Sequence, residues 1–208
     1  MKLSALYQIF LDCQSVTTDS RNCPDGSLFI ALKGESFNGN AFAKLALDSG
    51  CAFAIIDEIQ YAVEGDQRYI LVDDCLQTMQ QLANYHRRQL GTRVIGITGT
   101  NGKTTTKELI SSVLCQAHNV LYTLGNLNNH IGVPLTLLAM TRDVEFGIVE
   151  MGASACGEIA LLCSIAEPNY GIVTNIGRAH LEGFGGPEGV RRGTGELYDW
   201  LARTGGRV

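Results

Sequence analysis

Four short segments in the second half of the chain are apolar along almost their whole length: residues 93–98, 120–123, 146–150 and 170–175. Helical stretches stand between them, at 103–117, 134–140 and 157–166. A strand that is apolar on both sides must be covered on both faces, and regular alternation of such strands with helices points to a parallel, doubly wound α/β sheet. The first ninety residues read as a smaller α/β unit. Leu3, Leu6, Tyr7, Phe10 and Leu11 make the stripe of an amphipathic first helix rather than the core of a leader peptide. Strands are expected at 27–32, 51–57 and 69–73, with helices at 41–49 and 75–90. The rhythm changes after Gly91, which divides the chain into domains 1–91 and 92–208.

Composition removes several classes of function. With 45% hydrophobic and 18% charged residues, the 208-residue chain can bury a core. Sixteen Lys and Arg against twenty-one Asp and Glu leave a net charge of −5. That balance argues against nucleic acid and against an anionic membrane surface as partners. No apolar run approaches the roughly 18–20 residues of a membrane span. The seven cysteines are odd in number and form no C-x-x-C pair, so buried, reduced thiols of a cytoplasmic protein are expected.

The chemistry concentrates at residues 96–105, Gly-Ile-Thr-Gly-Thr-Asn-Gly-Lys-Thr-Thr, between an expected strand and an expected helix. A helix start presents free N–H groups and a partial positive charge to an anion, and glycines let the backbone close around phosphate. Gly99, Thr100, Asn101, Gly102, Lys103, Thr104 and Thr105 are therefore the candidate nucleotide-binding residues. Lys103 would reach the β and γ oxygens, and the Thr104 hydroxyl would ligate Mg²⁺. The match to G-x-x-x-x-G-K-[ST] is imperfect, because Ile97 stands where that pattern has glycine. The competing reading is a glycine-rich turn without a ligand. In a parallel sheet, ligands bind beyond the carboxyl ends of the strands. Two other strand ends carry candidates there: Glu150, as a Mg²⁺ ligand or a mere cap, and His180, in the loop after the last strand.

The segment Gly-Thr-Asn-Gly-Lys-Thr-Thr at 99–105, followed by Thr-Lys-Glu-Leu, resembles the ATP loop of the Mur ligases. So do Gly-Asn-Leu-Asn-Asn-His-Ile-Gly-Val-Pro at 125–134, Val-Glu-Met-Gly-Ala-Ser at 149–154 and Asn-Ile-Gly-Arg-Ala-His-Leu-Glu-Gly-Phe at 175–184. The last two are most similar to the branch of the family that appends a D-alanyl-D-alanine dipeptide. Thr18-Asp19-Ser20-Arg21, with residues 26–39 behind it, resembles the family's UDP-binding domain. The resemblance implies a small N-terminal UDP-binding α/β domain followed by a truncated P-loop ATPase domain. It implies an ATP- and Mg²⁺-dependent amide ligase of peptidoglycan precursor synthesis, cytoplasmic and monomeric. Its substrates would be a UDP-N-acetylmuramoyl-tripeptide and D-alanyl-D-alanine, joined through an acyl phosphate. By the family's pattern Lys103 holds the γ-phosphate, Thr104 and Glu150 hold one Mg²⁺, and His180 helps to place a second. Ser20 and Arg21 would meet the UDP end, and Asn129 would lie near the sugar-nucleotide and phosphate groups.

Two departures qualify that picture. The family continues beyond the position of Val208 with more of the central sheet and a third domain, so little turnover by this chain alone is expected. The family also carries a lysine, modified to a metal-ligating carbamate, where this chain has Thr194 after Arg191, Arg192 and Gly193. Threonine cannot form that group, and Glu188 or Glu196 would have to take its role. Two other functions compete: a folylpolyglutamate-synthase-like ligase, and a non-catalytic module that only binds UDP-sugar or nucleotide.

Overall fold

The computed structural model describes residues 1–208, which form two compact units, Met1–Tyr85 and His86–Val208. The seam falls within one helix, so each unit is described by itself.

The first unit starts with helix α1 (Leu3–Asp12) and builds its sheet from β1 (Val16–Thr17), β2 (Leu28–Ile30), β3 (Phe53–Ile56) and β4 (Tyr69–Leu71). All pairs are parallel and the strands lie in chain order. Leu6, Tyr7 and Phe10 are the buried stripe of α1, while Leu11 stays largely exposed. The helix expected at 41–49 is instead a 3₁₀ turn over Gly39–Phe42 followed by α2 (Ala43–Asp48). Asn38 causes the tighter start, because its side-chain oxygen accepts from the Asn40 amide at 3.0 Å. Helix α3 (Cys75–Leu90) has the expected bounds and crosses the seam. Its strongest burial is at Cys75, Met79, Leu82 and Ala83, with His86 and Arg87 on the second unit's side of the seam. Leu76 and Leu90, expected inward, are only half-buried.

The second unit contains β5 (Arg93–Thr98), α4 (Lys103–Leu114), β6 (Val120–Tyr122), α5 (Gly132–Leu138), β7 (Phe146–Glu150), α6 (Glu158–Ala166) and β8 (Tyr170–Val173). Two helices follow, α7 (Leu181–Phe184) and α8 (Pro187–Thr204). The sheet is parallel throughout, in the order β6-β7-β5-β8. Right-handed crossovers that first step outward and then return put α4 on one face and α5 and α6 on the other. Accordingly α4 packs on β5, β6 and β7, while α5, α6 and α8 share a layer. Ile97, Ile148 and Val149 are fully buried at the centre. Residues 206 and 207 run beside β8, where the Gly171 amide donates to the Arg207 carbonyl at 3.0 Å.

Helix α8 packs a small-residue surface on α7. A Cβ at position 189 would lie 1.7 Å from the Phe184 carbonyl oxygen, and one at 193 would lie 2.4 Å from the Phe184 ring. The cysteines are all reduced, but only Cys51, Cys75 and Cys163 are buried and Cys115 is exposed. Burial pushes the Cys75 and Cys163 thiols up to about 12. No helix is long and apolar enough to cross a membrane.

Candidate nucleotide site

The turns that follow β5, β7 and β8 border a cavity of about 500 Å³. Strand β5 ends at Thr98, and the chain bends at Gly99 rather than two residues earlier. Gly99 has φ +129°, and a Cβ there would lie 2.2 Å from Thr174 Oγ1. Ile97 is thus a strand residue, paired with Glu150 across the sheet, and the loop needs no glycine at that position. Gly102, at φ +78°, precedes α4, and no side chain caps the helix start. The first turn of α4 carries no acidic residue, so no side chain of its own turn answers its free N–H groups and dipole.

Side chains from the turn after β8 hold this loop. Asn175 Oδ1 accepts from Thr100 Oγ1 at 2.6 Å and from the Asn101 amide at 3.1 Å. Asn175 Nδ2 and Thr174 Oγ1 both donate to the Asn101 carbonyl, at 3.0 and 2.6 Å. Lys103 Nζ spans its own loop and donates to the Gly99 carbonyl at 2.7 Å and the Thr100 carbonyl at 3.3 Å.

Thr104 and Glu150 meet directly, as Thr104 Oγ1 donates to Glu150 Oε2 at 3.0 Å. Asn128 Nδ2 donates to the other carboxylate oxygen at 3.0 Å, and the Glu150 amide donates to Thr123 Oγ1 at 3.0 Å. Glu150 is only 2% exposed. It is buried like a core residue, yet its polar atoms are matched one by one.

Gly99, Thr100, Lys103, Asn129 and His180 all line the cavity, whereas Asn101, Gly102 and Thr105 are exposed on the loop and first turn. Asn129 Oδ1 accepts from the Ile131 and Gly132 amides, at 3.1 and 2.9 Å, and so fixes the entry to α5. His180 is exposed, adopts φ +51° and precedes α7. Thr194 is 4% exposed and borders the same cavity, but its hydroxyl donates back to the Val190 carbonyl of its own helix at 2.8 Å. Glu196 caps α6 instead, accepting from the Gly157 and Ala160 amides at 2.6 and 2.8 Å. Glu188 is exposed in the first turn of α8, and Arg191 and Arg192 turn outward.

Ser20 and Arg21 belong to the first unit, on the turn after β1. The Arg21 guanidinium pairs with Asp19 at 2.9 Å and holds that carboxyl down at about 2. Ser20 is half-buried, and its carbonyl faces the Cys23 thiol at 3.5 Å. The turns after β2 and β3 interlock at the same edge of the sheet. Asn40 Nδ2 and Lys33 Nζ both donate to Asp57 Oδ1, at 2.8 and 3.1 Å. Burial alone would raise the Asp57 pKa, but the bonds from Asn40, Lys33 and the Cys75 amide hold it below its ordinary value.

Sequence reasoning assigned no role to Asn128, Thr174 and Asn175, nor to Thr123. Each is a polar residue just after an apolar strand or in the turn before a helix, and that placement was the available signal.

Residues 97–207 match the model described as Mur ligase middle domain, and residues 12–87 match that described as Mur ligase family, catalytic domain. The chain is 45% identical over 190 residues to the UDP-N-acetylmuramoyl-tripeptide--D-alanyl-D-alanine ligase of Bacillus subtilis, covering 91% of this chain and 42% of that protein. It is 40% identical over 191 residues to the Escherichia coli enzyme of the same name, covering 92% and 42%. The MurF ligase of Thermotoga maritima in complex with ADP superposes with a TM-score of 0.82 at 34% identity, covering 92% of this chain and 44% of that one. The chain thus spans less than half the length of the relatives it matches. Over the part it does span, the chain belongs to the Mur ligase family.

Proposed function

We propose that this chain forms the UDP-binding and nucleotide-binding portions of a cytoplasmic amide ligase. The enzyme would join D-alanyl-D-alanine to a UDP-N-acetylmuramoyl-tripeptide. The observation that carries the reading is the uncapped start of α4 behind Gly99–Gly102, with Lys103 beside the cavity. The tripeptide carboxylate would attack the γ-phosphorus of ATP and release ADP. The dipeptide amine would then displace phosphate from the acyl phosphate, forming the amide.

Both attacks bring anions together, so the chain's task is to supply compensating positive charge. Lys103 would leave the Gly99 and Thr100 carbonyls for the β- and γ-phosphate oxygens, a charge-assisted exchange that ADP reports through its β-phosphate. The α4 amides would take the β-phosphate. The Thr104 hydroxyl and the Glu150 carboxylate, 3.0 Å apart, fit one Mg²⁺ together with phosphate oxygens. Such a cation, when bound, would screen phosphate charge. A second Mg²⁺ fits less well, because the Thr194 hydroxyl is engaged by its own helix and Glu196 by α6. We assign no step to it. Ser20 and Arg21 would meet the UDP end, and Asn129 and His180 would line the path of the reacting groups.

Calorimetric titration of the chain with ADP tests the reading. Lys103→Ala should weaken ADP binding roughly tenfold or more, the equivalent of about 1.5–3 kcal/mol for a hydrogen bond to a charged group. Unchanged affinity in a folded Lys103→Ala protein would overturn the assignment.

A further inference from the structure

Lys107 is 1% exposed, although it lies one turn beyond Lys103 on the same helix. Burying an ammonium is costly unless it is well paired, and an apolar side chain would fill the same space without that cost. Its partners are specific. Nζ donates to the Thr123 carbonyl at 2.6 Å, pairs with Glu108 Oε1 at 3.0 Å and sits 5.6 Å from the centre of the Tyr122 ring.

Thr123 follows the last residue of β6, which is the outermost strand on that side of the sheet. On its inner side the Thr123 amide donates to the Ile148 carbonyl of β7 at 2.9 Å, and on its outer side β6 has no strand neighbour. Thr123 faces two ways. Its carbonyl takes Lys107, and its hydroxyl takes the Glu150 amide at 3.0 Å. Glu150 in turn meets Thr104, three residues before Lys107. The result is a closed circuit, from α4 through the end of β6 to the end of β7 and back to α4.

We propose that Lys107 is a positioning residue for the cation site of this ligase. Its buried ammonium clamps α4 to Thr123, and Thr123 sets the height of Glu150 beneath Thr104. This inference rests on the nucleotide-site reading above. Lys107 touches neither nucleotide nor cation and acts through Thr123.

Lys107→Met keeps much of the buried volume and removes the charge. Manganese binding followed by electron paramagnetic resonance, at saturating ADP, should weaken roughly ten- to hundredfold, the usual effect of disturbing an outer-shell partner. Metal-free ADP affinity should stay within about twofold, because the phosphate loop is held separately by Asn175. Lys107→Arg should recover a substantial part of the manganese affinity. Thr123→Val keeps the carbonyl for Lys107 and loses only the hydroxyl, so it should show the same metal-selective loss even if Lys107→Met fails to fold. The Glu150 amide resonance and its exchange rate should change in Lys107→Met and in Thr123→Val without any nucleotide present. If manganese binding and the Glu150 amide are unaltered in both variants, the proposal is overturned. If wild-type chain binds no ADP, the nucleotide reading fails, and the Glu150 amide still decides whether Lys107 positions that residue.

Discussion

Each unit builds a four-stranded parallel sheet, and the two differ in how the chain visits the strands. In the first unit β1, β2, β3 and β4 lie in chain order, so every connection steps in the same direction. Their turns follow one another along one edge, and side chains there bond to each other, as Lys33, Asn40 and Asp57 do. In the second unit the chain moves from β5 out to β6, returns to β7 and then crosses to β8 beyond β5. The segments leaving β5 and β7 depart to opposite faces, and between those strand ends Thr104 meets Glu150. Two equally parallel sheets thus differ in how their turns meet, because only one reverses its strand order.

The largest way to break this contrast is at the bend after β5. Gly99→Ala forces a side chain into φ +129° and against Thr174. It should destabilise the second unit by about 3 kcal/mol and abolish ADP binding, measured by thermal unfolding and calorimetry. Retained ADP affinity would mean that the loop is not built on that bend. Next in size is the separation of ligands. In NMR titrations ADP should shift resonances of residues 99–105, and Lys103→Ala should suppress those shifts. UDP should shift residues 18–21 and 33–40, and should do so equally in Lys103→Ala. UDP shifts confined to the second unit would erase the proposed division of labour.

A pH titration sharpens the comparison further. His86 is buried and donates to the Met140 carbonyl at 2.8 Å. Burial disfavours its charged form and lowers its pKa, with the carbonyl bond opposing in part. The unfolded chain therefore binds the proton more readily. The stability that His86 contributes is complete above about pH 6.5 and is lost as pH falls through its lower folded value. Asp57 has a lowered pKa as well, but its contribution persists down to about pH 4 and fades only below that. Hydrogen-exchange protection, taken relative to the intrinsic exchange rate at each pH, should fall in β5 and β7 between pH 7 and 5 while that of β2 and β3 holds, and His86→Gln should flatten the response. The smallest effect is expected at Gly65, where φ is +80° and nothing lies within 4 Å of an added Cβ. Gly65→Ala should cost only about 1 kcal/mol of backbone strain, read from the urea midpoint.

The legible parts of the sequence were those fixed by local pattern. Strands β5 and β7 and the start of α4 at Lys103 fall where the apolar runs and the Gly-Lys-Thr step put them. Strand β1 is only two residues long, too short to show alternation. Helix α8 was concealed by Gly189, Gly193 and Gly195, which count against a helix by propensity. The reason for Gly189 and Gly193 is tertiary: they make room for Phe184. Lys107 reads as an ordinary solvent-facing helix residue, and only the placement of Thr123 beneath it shows otherwise. The cavity residues Lys103 and His180 were legible as strand-end polar groups, whereas the bonds that Asn128 and Asn175 make depend on turns brought together from distant parts of the chain.

The fit of Phe184 against Gly189 and Gly193 restricts the order in which this sequence can drift. A larger residue at 193 becomes admissible only after the ring at 184 has shrunk, since the reverse order passes through a clash at 2.4 Å. Position 184 also ends the short helix that His180 begins. Exchanges on the buried side of α8 are therefore coupled sterically to the turn that presents an imidazole to the cavity, and that turn tolerates fewer exchanges than its exposed surface would indicate.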